Sequence, residues 1–102
     1  METKTSKIGF SIKEFYNFSL IEFVIKGGII DPSDLKNVEL PPVPYNKGAA
    51  ISGRGPVWLY ANLAHLLHPA RWVGTYEPRM NSIIVVASHV NHPQPGDVIP
   101  LE

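Results

Sequence analysis

The sequence predicts a single-domain α/β fold whose mixed sheet is built around a βαβ unit. Three observations carry that reading. Ala49 to Ser52 reads as a buried strand, Val57 to His68 as a helix, and Trp72 to Tyr76 as a second strand. In the helix, Leu59, Leu63 and Leu66 or Leu67 recur at three- to four-residue spacing, and Ala61 and Ala64 permit close packing. Strand, helix and strand at this spacing place the two strands parallel, joined by a right-handed crossover. Ile83 to Ser88 is strongly β and returns antiparallel as a hairpin after the turn Glu77-Pro78-Arg79-Met80-Asn81, which makes the sheet mixed. A ferredoxin-like α+β sandwich is the alternative arrangement.

The other elements follow along the chain, whose 102 residues make one domain, 1–102. Ile8 to Ser11 is a short first strand. Phe18 to Lys26 is rich in β-branched and aromatic residues and stops at Gly27-Gly28, which predicts a strand. Asp31-Pro32-Ser33-Asp34 resembles a helix start, with an acid at the cap, proline in the first turn and a further acid near the positive dipole end. That helix is short, because Pro41, Pro42 and Pro44 break regular structure soon after it. Gly53-Arg54-Gly55 is a turn, Pro56 sits in the first helical turn where proline is tolerated, and Pro69 ends the helix. His92-Pro93-Gln94-Pro95-Gly96 is a loop, and Asp97 to Leu101 a last short strand.

Composition narrows the function classes. Apolar residues make up 44% and charged residues 18%, the balance of a globular chain rather than a disordered one. There is no cysteine, which favours a reducing cytoplasm over secretion. The polar start Met1-Glu2-Thr3-Lys4-Thr5-Ser6-Lys7 lacks the apolar run of a signal peptide, and no stretch is long enough to span a bilayer. Net charge is zero, so no global basic field points to nonspecific nucleic-acid binding, and no DNA partner is expected. The distribution is uneven. All six lysines precede Ala50, whereas Arg54, Arg71, Arg79 and all four histidines follow it. The candidate chemistry therefore lies in the second half.

Three features there bear chemistry. In Ile51-Ser52-Gly53-Arg54-Gly55-Pro56, glycines let a ligand approach the backbone, the following helix offers unpaired N–H groups, and the Arg54 guanidinium matches phosphate oxygens two-pronged. Ser52 adds a hydroxyl. The pattern is neither a Walker loop nor the three-glycine dinucleotide fingerprint, and its bland counterpart is a tight connection with a solvent-facing arginine. His65 and His68 share a helix face near the C-terminal end, a spacing that suits a metal but more often serves the helix dipole. Glu77-Pro78-Arg79, at a strand end, sets a base or metal ligand beside a phosphate clamp, or else is an ordinary charged turn.

Taken in order, ISGRGPVWL, LAH-x-x-H, TYEPR, VVASH and PGDVI resemble the Csx-three family of CRISPR-associated proteins. The likeness covers most of the chain and is densest from Lys47 to Ile99. It implies a small, divergent relative of the Rossmann-like CARF domains. It also implies a ring nuclease that cuts cyclic tetra-adenylate into linear products and switches off type III CRISPR signalling. Manganese-dependent cleavage of RNA 3′ ends is a second activity attributed to the family, and a non-catalytic module binding cyclic oligoadenylate or short RNA is a third reading. The family's unit is a homodimer, with the ring held between dimers, so that the catalytic set is completed across subunits. By resemblance, Ser52, Gly53, Arg54, Gly55 and Pro56 form the substrate-binding loop, and His68 is a catalytic histidine. Arg79 is the active-site arginine. Glu77 replaces the family's aspartate as catalytic group and as ligand to Mn2+, with His89 as the other metal ligand. Tyr60 stands where a histidine is expected and receives no role.

Overall fold

The structure is a computed structural model that describes residues 7–101; the polar start before Lys7 and the final Glu102 lie outside the described residues. Six strands form one mixed sheet in chain order: β1 (Ile8–Glu14), β2 (Phe18–Ile25), β3 (Gly48–Ser52), β4 (Trp72–Glu77), β5 (Ser82–Ser88) and β6 (Val98–Pro100). β2, β3 and β4 run parallel, while β1, β5 and β6 pair antiparallel with their neighbours. Between β3 and β4 runs the α-helix α1 (Val57–Leu66), the crossover of the expected βαβ unit. The ferredoxin-like alternative needs two helices interleaved with antiparallel strands, and among the described residues there is one α-helix.

Alternation along the strands builds two apolar layers. On one face, Ile8, Ile21, Phe23, Ala49, Ile51 and Val73 pack with Leu59, Leu63 and Leu67 from the helical segment. On the other, Phe18, Leu20, Ala50, Trp72, Ile83 and Val85 form a second cluster, with Val90, Ile99 and Leu101 packed against it. The three leucines are fully buried, so the three- to four-residue spacing in the sequence marks the stripe that faces the sheet. At the β1–β2 hairpin, Lys47 ties the turn to the start of β3. Its Nζ donates to the Phe15 carbonyl at 2.7 Å and pairs with Glu14 at 2.8 Å, while the Ser19 hydroxyl donates to the same carboxylate at 2.7 Å. These contacts hold the Glu14 carboxyl below its usual range, the Lys47 hydrogen bond being the largest cause.

Three elements differ most from expectation. β1 runs on to Glu14, because Ile8, Phe10 and Ile12 alternate toward the helix side and pair with Ile25, Phe23 and Ile21. The helix expected at Asp31 is a 3-10 helix, Pro32–Asn37, in which the Asp34 carboxylate accepts from the Asp31 N–H at 2.8 Å. α1 stops at Leu66 rather than His68. There the chain tightens, with the His68 N–H on the His65 carbonyl and the Ala70 N–H on that of Leu67, and Pro69 brings no N–H to continue the ladder.

Candidate functional site

The glycine-flanked turn leaves β3 and enters α1. Pro56 is the helix cap residue and supplies no side-chain cap. Its carbonyl receives the Leu59 and Tyr60 N–H groups at 3.1 and 3.4 Å, which leaves those of Val57 and Trp58 at the open, positive end of the helix. Arg54 is exposed and has no carboxylate partner among the described residues. The glycines answer to packing as well as to any ligand. A Cβ on Gly53 would lie 2.6 Å from the Phe23 ring, and one on Gly55 2.8 Å from it. The turn is latched from behind by Tyr60, whose hydroxyl donates to the Gly53 carbonyl at 2.6 Å while its ring packs edge-on to Phe23, centroids 5.4 Å apart. Desolvation raises the phenol's pKa, so the group stays a protonated donor at neutral pH.

Beside this turn, at the same C-terminal edge of the parallel strands, stands the corner Glu77-Pro78-Arg79. Glu77 ends β4, and Arg79 folds back on it. The Arg79 Nε donates to Oε2 at 2.9 Å and Nη2 to Oε1 at 3.1 Å, while the Arg79 backbone N–H donates to Oε2 at 3.0 Å. The side-chain fork first, and the backbone bond second, hold the Glu77 carboxyl below its ordinary value. The guanidinium itself remains open to solvent on its other side, with the side chain 88% exposed.

The histidines gather at the opposite edge. His65 and His68 stack with ring centroids 5.9 Å apart, and His89 meets His68 edge-on at 6.1 Å. His89 Nε2 contacts the His68 carbonyl at 2.8 Å, and its backbone N–H donates to the Arg71 carbonyl at 2.9 Å. These bonds fasten the end of α1 to the end of β5. His92 lies in the following loop, 3.8 Å from Asp97.

The two groups are separated by the length of β4. Trp72 pairs with Ser88 at one end and Glu77 with Ser82 at the other, five residue steps or about 17 Å. One chain therefore brings Ser52, Gly53, Arg54, Gly55 and Pro56 together with Glu77 and Arg79, and brings His68 together with His89, but does not join the sets. Glu77 and His89 fall in different sets, so a single chain does not bring the expected metal pair to one ion. Among the described residues, no group of three or more His, Cys, Asp or Glu is placed to hold one. A groove of about 790 Å³ adjoins the turn, lined by Phe23, Ile29, Ile30, Arg54 and Trp58 among others. A larger one, of about 1040 Å³, lies by the β1–β2 hairpin with Tyr16, Lys47, Arg71 and His92 and does not reach the turn. Of the two, the groove beside the turn is the one that includes Arg54.

The family described as CRISPR-associated protein (Cas_csx3) matches this chain over residues 23–100. The chain belongs to the Cas_csx3 family. It is also similar to an uncharacterized protein of Aquifex aeolicus (strain VF5), 37% identical over 107 aligned residues that take in all of this chain and 96% of that protein. Membership gives the protein a CRISPR-associated role in antiviral defence. Among the described residues no helix is long and apolar enough to cross a membrane. Within this Cas_csx3 chain, sequence reasoning missed Tyr60 and Phe23. Tyr60 carried a signal, an aromatic residue seven positions after Gly53, but Phe23 carried none, because only the pairing of β2 with β3 brings it to the turn.

Proposed function

We propose that this protein is a ring nuclease acting on cyclic tetra-adenylate, its cytoplasmic substrate. The observation that supports this is the division of its chemistry between two edges of one sheet. A ring held between two copies meets the Arg54, Glu77 and Arg79 edge of one and the His68 edge of the other. Arg54 and the open end of α1 hold phosphate, and Arg79 adds charge where negative charge grows on the phosphoryl oxygens. The ribose 2′-hydroxyl attacks the adjacent phosphorus, the P–O5′ bond breaks, and His68 carries the proton from the 2′-oxygen to the departing 5′-oxygen. The products are linear, each ending in a 2′,3′-cyclic phosphate and beginning with a 5′-hydroxyl. Where the two edges meet, Glu77 of one copy and His89 of the other are the residues that would hold a divalent cation, which would supply charge neutralisation at the phosphate.

A second reading, a module that binds the ring without cutting it, draws support from the Glu77–Arg79 fork, which engages one side of the guanidinium that the reaction would use. Labelled cyclic tetra-adenylate incubated with the protein separates them, with products identified by mass spectrometry. The reaction predicts linear fragments with cyclic phosphate ends. His68→Ala is expected to slow turnover by at least about 100-fold with binding retained. Arg54→Ala is expected to weaken binding by about tenfold or more. Tight binding without products leaves the binding module. Turnover of linear oligoadenylate alone leaves an RNA 3′ exonuclease.

A further inference from the structure

The groove next to Arg54 is lined mainly by apolar side chains. Phe23, Ile29 and Ile30 on the β2 side face Pro56 and the half-buried Trp58 on the helix side. Two of the residues along it are largely exposed, Ile29 at 72% and Val24 at 66%. Exposed apolar side chains that cluster at one groove mark a binding surface rather than scattered surface hydrophobes. The groove's volume, about 790 Å³, lies within the range of small-ligand pockets. Its only charged side chain is Arg54, which has no acid partner among the described residues. Besides that guanidinium, the side chains lining it offer a single polar group, the indole N–H of Trp58.

A ligand that suits such a groove has a flat apolar face and, at one end, an anion. We infer that the groove is a base-stacking subsite: it takes a purine of the nucleotide whose phosphate Arg54 holds, with the base laid against Trp58 and the Ile29–Ile30 wall. The assignment rests on the reading of the turn as a phosphate site and adds to it the source of base preference. No carboxylate or side-chain amide lines the groove, so selection works through stacking area rather than through hydrogen bonds to base edges. A purine, with two fused rings, is held better than a pyrimidine, and indole is the largest stacking surface a side chain provides.

The test is a fluorescence titration with linear tetra-adenylate carrying 2-aminopurine, whose emission is quenched on stacking, with linear tetra-uridylate as competitor. The wild-type chain is expected to quench the probe and to bind tetra-uridylate about tenfold more weakly than tetra-adenylate. Trp58→Leu is expected to lose the quench and about tenfold in affinity, whereas Trp58→Phe recovers most of both. Because Trp58 is half-buried, Ile29→Ser gives an independent arm at an exposed position that does not threaten folding; it is expected to weaken the probe while leaving the thermal midpoint in place. Equal affinity for tetra-uridylate, or wild-type binding in Trp58→Leu and Ile29→Ser, overturns the subsite. If these variants bind normally while Arg54→Ala does not, the phosphate reading stands and the subsite alone fails. If Arg54→Ala binds normally, the phosphate reading itself fails. A change of oligomeric state in Ile29→Ser, seen by light scattering with nucleotide affinity unaltered, assigns the groove to a second copy of the chain and likewise overturns the proposal.

Discussion

At the scale of single residues, the Glu77 carboxylate decides how Arg79 is presented. A glutamate side chain reaches far enough to be gripped by both prongs of the guanidinium two residues on and by the Arg79 backbone N–H. The pair is therefore closed on itself until a ligand competes for the arginine. The pH dependence follows from the lowered carboxyl value. A group whose folded value lies below its unfolded one contributes stability that is present above the ordinary glutamate range, near 4.3, and is lost as pH falls through the folded value. The fork is thus complete at neutrality and opens only in acid below that range. Glu77→Gln removes the competing charge at every pH. It is expected to tighten binding of linear tetra-adenylate at pH 7 by about two- to fivefold, the weight of an exposed ion pair, and to flatten the acid limb of the binding profile. Affinity measured from pH 3.5 to pH 7 checks both, and an unchanged constant at neutrality would mean that Arg79 does not face the ligand.

At the scale of elements, the turn is defined from behind as much as by anything it binds. Phe23, from β2, fills the space that side chains on Gly53 or Gly55 would need, and Tyr60, one turn into α1, anchors the Gly53 carbonyl. Gly55→Ala is expected to destabilise the fold by about 1–3 kcal/mol through overpacking, and Phe23→Leu in the same chain to recover part of that loss. Urea denaturation of the two single variants and the double variant measures the coupling; strictly additive losses would show that the ring and the turn do not press on one another. The same elements show what was legible in the sequence. Leu59, Leu63 and Leu67 announce the buried face of α1, and the βαβ unit follows from spacing alone. The last part of β1 was obscured, because Ser11, Lys13 and Glu14 hide the alternation of Ile8, Phe10 and Ile12. The Phe23 contact was not legible at all, since it depends on two segments roughly 30 residues apart becoming neighbours in the sheet. For the same reason, Arg54 and Arg79 were recognisable as candidate phosphate groups, but nothing local revealed that they share an edge and that His68 and His89 occupy the other.

At the scale of the whole molecule, that separation makes a statement about assembly that can be tested without a structure of the complex. If the reaction needs Arg79 and His68 within reach of one phosphate, and a single chain keeps them about 17 Å apart along β4, then each active centre draws on two copies. A variant lacking His68 still carries an intact arginine edge, and a variant lacking Arg79 still carries an intact histidine edge. His68→Ala and Arg79→Ala are each expected to be nearly inactive alone. Mixed in equal amounts, they are expected to regain a substantial part of the wild-type rate, because a fraction of the contacts pairs the intact edge of one with the intact edge of the other. A mixture of Arg54→Ala and Arg79→Ala regains less, because both lesions fall on the same edge and every contact between unlike copies leaves that edge damaged. The rate of cyclic tetra-adenylate cleavage by each mixture, measured against the single variants at the same total concentration, carries the result. Recovery should also steepen with protein concentration, since it depends on encounter between copies. A first mixture no more active than its components would place the complete catalytic set within one chain, which would require β4 and its flanking turns to rearrange on binding.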